Sequence, residues 1–363
     1  MPADPRNLVA IALRQPAAVL QFSSTDWDRL VRQARHAGLL ARLGETLDEA
    51  AMLDRVPSAP RAHFQAATAV AGAQHLHVRR EVALIVQALR PLGVTPILLK
   101  GAAYVHAGLP AARGRVFSDI DILVPKARLP EVEAALMANG WATTHHSPYD
   151  QKYYREWMHE LPPMRHIVRD TVLDVHHTIL PTTARLKPDA ARLFAAATEL
   201  PGDGVRVLAP ADMVLHSMTH LFHNDELSQA LRDLSDLDLL LRHFGRDPSF
   251  WSDLAQRAQA LDLSRPLYYG LRHAQQVLQT PVPPETLATV ARHGPGWPLN
   301  RWMDGLWHRA LRPAHRTAAD AFTAPSLFLL YLRAHWLRMP PLLLVRHLAI
   351  KSWRRNFHAG EAH

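Results

Sequence analysis

The chain has 363 residues, 48% of them hydrophobic and 20% charged, a balance that supports a buried core and excludes wholesale disorder. It contains no cysteine, which excludes disulfide scaffolds, Cys-ligated zinc, iron–sulfur clusters and thiol nucleophiles, and fits a reducing, cytoplasmic setting. The formal charge of +8 calls for an anionic partner: nucleotide phosphates, nucleic acid or an acidic membrane face.

At roughly 100–200 residues per domain, the length predicts two domains or one core with helical additions. The N-terminal string MPADPRNLVA lacks the basic-then-apolar plan of a secretion signal. No stretch reaches the roughly 18–20 apolar residues that a membrane span needs. Residues 1–91 read as a helical region. Leu30, Val31, Ala34, Leu39 and Leu40 recur mostly at three- and four-residue intervals, with Thr25 or Asp26 as the expected cap. A second helix is predicted from about Ala62 to Leu89, ending before Pro91. Residues 92–205 carry the only strand-like patterning. Strands are predicted at Pro96–Leu99, Ile120–Val124, Met164–Arg169 and Val172–His176, with Arg169-Asp170 turning between the last two. Helices are predicted at about Ala102–Ala107 and Leu129–Asn139. This mixture predicts an α+β fold, a small mixed-sheet core between helical flanks. Residues 206–363 return to helical spacing, over about 210–223, 227–243, 250–260 and 265–278. After a Pro/Gly-rich break, two last helices are expected near 325–338 and 342–356.

The chemistry concentrates in Ser118-Asp119-Ile120-Asp121-Ile122-Leu123-Val124. Side chains alternate along a strand, so Asp119 and Asp121 are expected on one side, with Ile120 and Ile122 in the core. Adjacent carboxylates repel unless a cation lies between them, and Mg²⁺ takes oxygen ligands while gripping substrate phosphates. Asp174, an acid inside the apolar strand Val172-Leu173-Asp174-Val175-His176, is the candidate third ligand of a two-metal site. Lys100-Gly101, at a strand end before a short helix, offers a backbone without Cβ that a phosphate can approach.

The strings ILLKGAAY, R-x-x-SDIDILV and LDVHH resemble the largely uncharacterised nucleotidyltransferase family of the DNA polymerase β-type superfamily. The resemblance extends over most of the chain, through LAPADMVLHSMTHLFH, ALRDLSDLDLLL and LRAHWLRMPP. It implies metal binding and nucleotidyl transfer at Asp119, Asp121 and Asp174. Where the superfamily usually opens the helix with Gly-Ser, this chain has Lys100-Gly101-Ala102, as in this branch and a related toxin branch with Lys-Gly-Gly. The usual serine contact to the triphosphate is therefore unassigned, with Ser118 or Lys100 as substitutes.

A second D-x-D, in Ser235-Asp236-Leu237-Asp238-Leu239, lies in a leucine-spaced helix, where Asp236 and Asp238 point about 200° apart and cannot share a metal. They read as polar helix faces, although Asp233 is near enough in sequence to reach a cleft. His216, His220 and His223 line one helical face at metal-ligand spacing, but Met218, Leu221 and Phe222 favour core or cleft-lining histidines over zinc ligands. His176 shares a face with Asp174 and is a candidate phosphate contact or orienting group; a satisfied structural histidine is the equal alternative. Arg113, Arg115, Lys126, Lys152, Arg155, Arg165 and Arg169 make the surroundings of the acids basic; more than half of them are expected to be ordinary solvated surface, and Arg115, entering the acidic strand, is the first choice for a triphosphate. From Ala321 to Gly360 no acid occurs. A basic amphipathic tail over 327–357, with Trp336 and Trp353 as anchors, would either pack on the protein or lie on the inner membrane face, with packing preferred.

These features predict an ATP- or other NTP-using nucleotidyltransferase with Mg²⁺, or Mn²⁺ in its place, and a hydroxyl-bearing acceptor. The alternatives are a catalytically inactive nucleic-acid-binding module, permitted by charge but without a basic–aromatic groove motif, and a membrane-surface accessory protein of an envelope or natural-product pathway.

Overall fold

Residues 4–144 and 147–340 are described by the computed structural model. Four helices open the chain, at Leu8–Arg14, Ser24–His36, Leu40–Glu49 and Ser58–Leu89. The Ser24–His36 helix is capped by Ser23 rather than by Thr25 or Asp26. Its hydroxyl accepts from the Asp26 amide at 3.2 Å, and the Asp26 carboxylate accepts from the Ser23 amide, closing a capping box. Leu39 and Leu40 do not continue this helix, because Gly38 (φ +64°) breaks it and a new one starts at Leu40. The long helix begins at Ser58, earlier than expected, and yields at Pro91, whose ring cannot continue it.

Among the described residues, seven strands form one mixed sheet: β1 (Ile97–Leu98), β2 (Ile120–Leu123), β3 (Trp141–Thr143), β4 (Met164–His166), β5 (Val172–His176), β6 (Thr198–Leu200) and β7 (Val205–Val207). Their order is β3-β4-β5-β2-β1-β7-β6, with β2/β5 and β1/β7 parallel and the other pairs antiparallel. The fold is therefore α+β with helical flanks. Ile97, Leu98, Ile120, Ile122, Leu173 and Val175 are buried at its centre. The strand expected over Met164–Arg169 stops at His166, because Asp170 turns the chain with φ +61° and Arg165 donates to its carboxylate at 2.6 Å. The strands β3, β6 and β7 add to the four that patterning predicts.

After the last strand, helices Pro210–His223, Ala230–Phe244, Ser249–Ala260 and Ser264–Leu278 pack on one another. The Pro/Gly-rich break holds a helix, Pro284–Ala291, with proline at its first turn, followed by Trp297–Ala310. The Thr323–Arg338 helix packs on Trp297–Ala310 and Pro210–His223 through Ser326, Leu330 and Ala334. Leu327, Phe328, Leu332 and Trp336 remain exposed, with the Arg185 guanidinium 4.4 Å over the Trp336 ring. The helix expected at 342–356, with Trp353, lies outside the described residues. Among the described residues, no helix is long and apolar enough to cross a membrane.

Candidate active site

Strand β1 leaves its ladder with β2 just after Leu99, whose amide donates to the Asp121 carbonyl at 3.0 Å. The next residue, Lys100, takes a left-handed backbone (φ +45°), unusual for a non-glycine and of the kind held in place only by firm surroundings. That turn sends its side chain to Asp121, with Nζ 2.9 Å from Oδ1. Gly101 follows because no Cβ fits: one would lie 2.4 Å from Phe117 Cε1 and 3.1 Å from an Arg115 guanidinium nitrogen. Packing by Phe117 thus accounts for this glycine.

The parallel pairing of β2 with β5 sets Asp121 directly beside Asp174. Asp121 is only 4% exposed, and its Oδ1 also accepts from His176 Nε2 at 3.0 Å. Burial alone would raise its carboxyl; Lys100 and His176 instead hold it well below the usual range. Asp174 has the opposite fate. Burial, reinforced by the negative charges of Asp121 and Glu160, pushes it up to about 8. Its Oδ1 is buried with no hydrogen-bond partner, the kind of orphaned acceptor that a cation satisfies. One ligand atom each from Asp121, Asp174 and His176 lies within 4.8 Å of the others, a spacing a metal ion can span. Asp119, half-buried just before the strand, accepts from the Ser118 hydroxyl at 2.8 Å and adds to the negative field at Asp174 and Lys100.

Asp119 and Asp121 open onto a cleft of about 540 Å³, lined from the sheet side also by Lys100, Gly101, Arg115 and Ser118. The volume falls within the ~300–1,000 Å³ of small-molecule sites. The opposite wall comes from helices Pro210–His223 and Ala230–Phe244 and the segment joining them, with Ser217, His220, Arg232, Asp233 and Asp236. Neither Asp174 nor His176 lines this cleft; His176 is buried between Asp121 and Glu160. His220 lines the cleft, whereas His216 and His223 are buried. Burial lowers all three histidines, His223 to about 3.

Asp236 is not a polar helix face. It is buried between two guanidiniums, Arg115 Nε at 2.8 Å and Arg42 Nη1 at 2.7 Å. Gly114 makes the arrangement possible, since at φ +57° any Cβ would lie 2.3 Å from the Arg42 backbone nitrogen. Arg115 therefore reaches the cleft already paired, with its charge shared between Asp236 and the site. Of the seven cations expected around the acids, Arg115 alone lines the cleft. Arg113 pairs with Glu49, Arg155 with Glu133, Arg165 with Asp170 and Arg169 with the buried Glu81. Lys152 pairs with Glu156, and Lys126 is exposed. The other cleft cations are Lys100, Arg35 and Arg232, the last 3.0 Å from Asp233. Sequence reasoning also passed over Glu160, which an isolated antiparallel bridge to His176 brings to the acids. Its only signal is its place before Leu161-Pro162-Pro163, where no strand pattern marks it.

No curated protein and no solved structure matches the chain significantly. A family model described as "Uncharacterised nucleotidyltransferase" matches residues 23–279, a span that contains the acidic strands, the cleft and both its walls. By that match the chain belongs to this uncharacterised nucleotidyltransferase family.

Proposed function

We propose that the protein moves a nucleoside monophosphate from an NTP to a hydroxyl-bearing acceptor, with Mg²⁺ or Mn²⁺ as cofactor, and releases pyrophosphate. The observation that carries this reading is the in-register pair Asp121 and Asp174, with its orphaned carboxylate oxygen, beside a cleft of nucleotide size. Two adjacent carboxylates in a buried strand pair are costly without a cation, and burial without a partner is what the fold imposes on Asp174. Oxygen donors from Asp119, Asp121 and Asp174 suit a hard divalent ion, which supplies charge neutralisation of the phosphates and a lowered barrier at the α-phosphorus.

In this scheme Lys100 and Arg115 face the triphosphate from the sheet side, with Ser118 at the cleft mouth and the Gly101 backbone beneath it. Arg35 and Arg232 add charge from the far wall. His176 acts through Asp121, donating from Nε2 to fix that carboxylate's orientation. Asp174 assists the acceptor hydroxyl, as ligand or as base. The acceptor oxygen attacks the α-phosphorus in line, its proton leaves to the base, the bond to the β-phosphate oxygen breaks and pyrophosphate departs. The test is transfer of α-labelled NTP in Mg²⁺ to a panel of small molecules, proteins and RNA ends. Loss of labelling in Asp119→Ala and Asp121→Ala is expected; labelling that persists in both refutes the assignment.

A further inference from the structure

On the opposite edge of the His176 ring from Asp121 lies a second group of donors. His176 Nδ1 is 3.2 Å from Glu160 Oε2, and His159 Nε2 is 3.9 Å from the same oxygen. One ligand atom from each of the three residues lies within 4.8 Å of the others. The His159 and His176 rings sit 5.1 Å apart, tilted by 33°. His176 is 4% exposed, and its Nδ1 and that of His159 are both buried with no hydrogen-bond partner. Donors about 2.0–2.1 Å from a tetrahedral zinc stand roughly 3.3 Å apart, which the His176–Glu160 separation already matches.

We propose that His159, Glu160 and His176 form a second cation site, built for a nitrogen-ligated divalent ion of the Zn²⁺ class. Three observations converge on it. Two imidazoles and one carboxylate make a borderline donor set that favours zinc, cobalt or manganese over magnesium, whose preference is for oxygen. Metal-bound histidines nearly always donate their other ring N–H to a carboxylate, and His176 Nε2 already meets Asp121 at 3.0 Å. The backbone holds the ligands together: the Glu160 bridge to His176 and the His177 amide donating to the His159 carbonyl at 2.8 Å lock the 159–160 segment against β5. The site thus shares His176 with the first acidic cluster, and an ion there would set the orientation of Asp121 from behind. The proposal does not depend on nucleotidyl transfer, which is measured separately with Mg²⁺ and labelled NTP.

The test uses the full chain without nucleotide and Co²⁺ as the spectroscopic probe. Wild-type protein is expected to take up Co²⁺ with the intense visible band of nitrogen-rich, low-coordinate cobalt, to lose that band on adding Zn²⁺ and to keep it in excess Mg²⁺. Glu160→Gln and His159→Gln should weaken Co²⁺ binding by more than the about 10–100-fold that removing an outer-shell partner costs, whereas Asp119→Asn should leave the band in place. A band that survives both ligand substitutions, or that disappears in Asp119→Asn, overturns the site. X-ray absorption on Zn²⁺-loaded wild type gives a readout independent of variant folding: two imidazoles in the inner shell support the proposal, and an all-oxygen shell refutes it.

Discussion

The Asp174 carboxyl offers a quantitative handle on the site. Its rise from 3.8 to about 8 corresponds to about 6 kcal/mol of ionisation cost at about 1.4 kcal/mol per pH unit. Asp174 is partly exposed, so solvent screens part of this, leaving roughly 2–3 kcal/mol. The sign follows from proton counting. Between pH 4 and 8 the folded, cation-free protein keeps a proton that the unfolded chain has shed, so this contribution is fully present below about pH 4 and is lost as pH rises towards 8. Asp174→Asn removes the ionisation while keeping the shape. At roughly 2 °C per kcal/mol for a large chain, the variant should melt about 4–6 °C above wild type at pH 8.5 in chelator and level with it at pH 4. Mg²⁺ should then reverse the order at pH 8.5, raising the wild-type Tm by displacing the proton and raising the variant less. Differential scanning fluorimetry across pH 4–9, with and without Mg²⁺, reads both effects. Parallel Tm–pH curves for the two proteins, or equal shifts with Mg²⁺, would refute the reasoning.

Lys100→Met strips the cation from Asp121 and should cut NTP transfer by about 10²–10³-fold with the fold intact by circular dichroism, as for other preorganised charges at a reacting phosphate. Gly101→Ala forces a methyl group into Phe117 and should cost about 1–3 kcal/mol in urea unfolding; Phe117→Ala in the same chain should recover part of that loss. Asp236→Asn leaves two buried guanidiniums without their counter-charge and should destabilise by about 3–5 kcal/mol, whereas the exposed Arg32–Asp28 pair should yield under about 1 kcal/mol in a double-mutant cycle. Ser23→Ala should lose about 1 kcal/mol through the vacated cap, readable as a lowered denaturant midpoint.

The central strands were legible because β-branched and apolar residues surround their acids, and a charge inside such a run demands a reason. The short strands Trp141–Thr143, Thr198–Leu200 and Val205–Val207 carry too few residues for a period to show, and Thr198 and Glu199 are exposed. Pattern singled out Asp119, Asp121 and Asp174, but it is the parallel register of β2 with β5, which sequence does not print, that sets Asp121 beside Asp174, while Asp119 lies just before the strand and outside that pair. The roles of Asp236 and Glu160 were hidden for a different reason. Each is defined by a partner distant in the chain: Arg115 and Arg42 for the first, His176 for the second. Which of the cations would reach the cleft was hidden in the same way, since Arg113, Arg155, Arg165 and Arg169 are paired with acids whose proximity only folding creates.

The carboxylate of Asp236 is gripped by one arginine from the first fifty residues and another from the loop that feeds the acidic strand. It works as a rivet through three lengths of polypeptide. Cutting the gene down to the sheet alone would therefore strand Arg115 in a dry pocket with nothing to neutralise it. Anyone seeking a minimal fragment should expect inclusion bodies unless that arginine is first replaced by an apolar residue of similar bulk, so the cleft and its scaffold are best produced as a single piece.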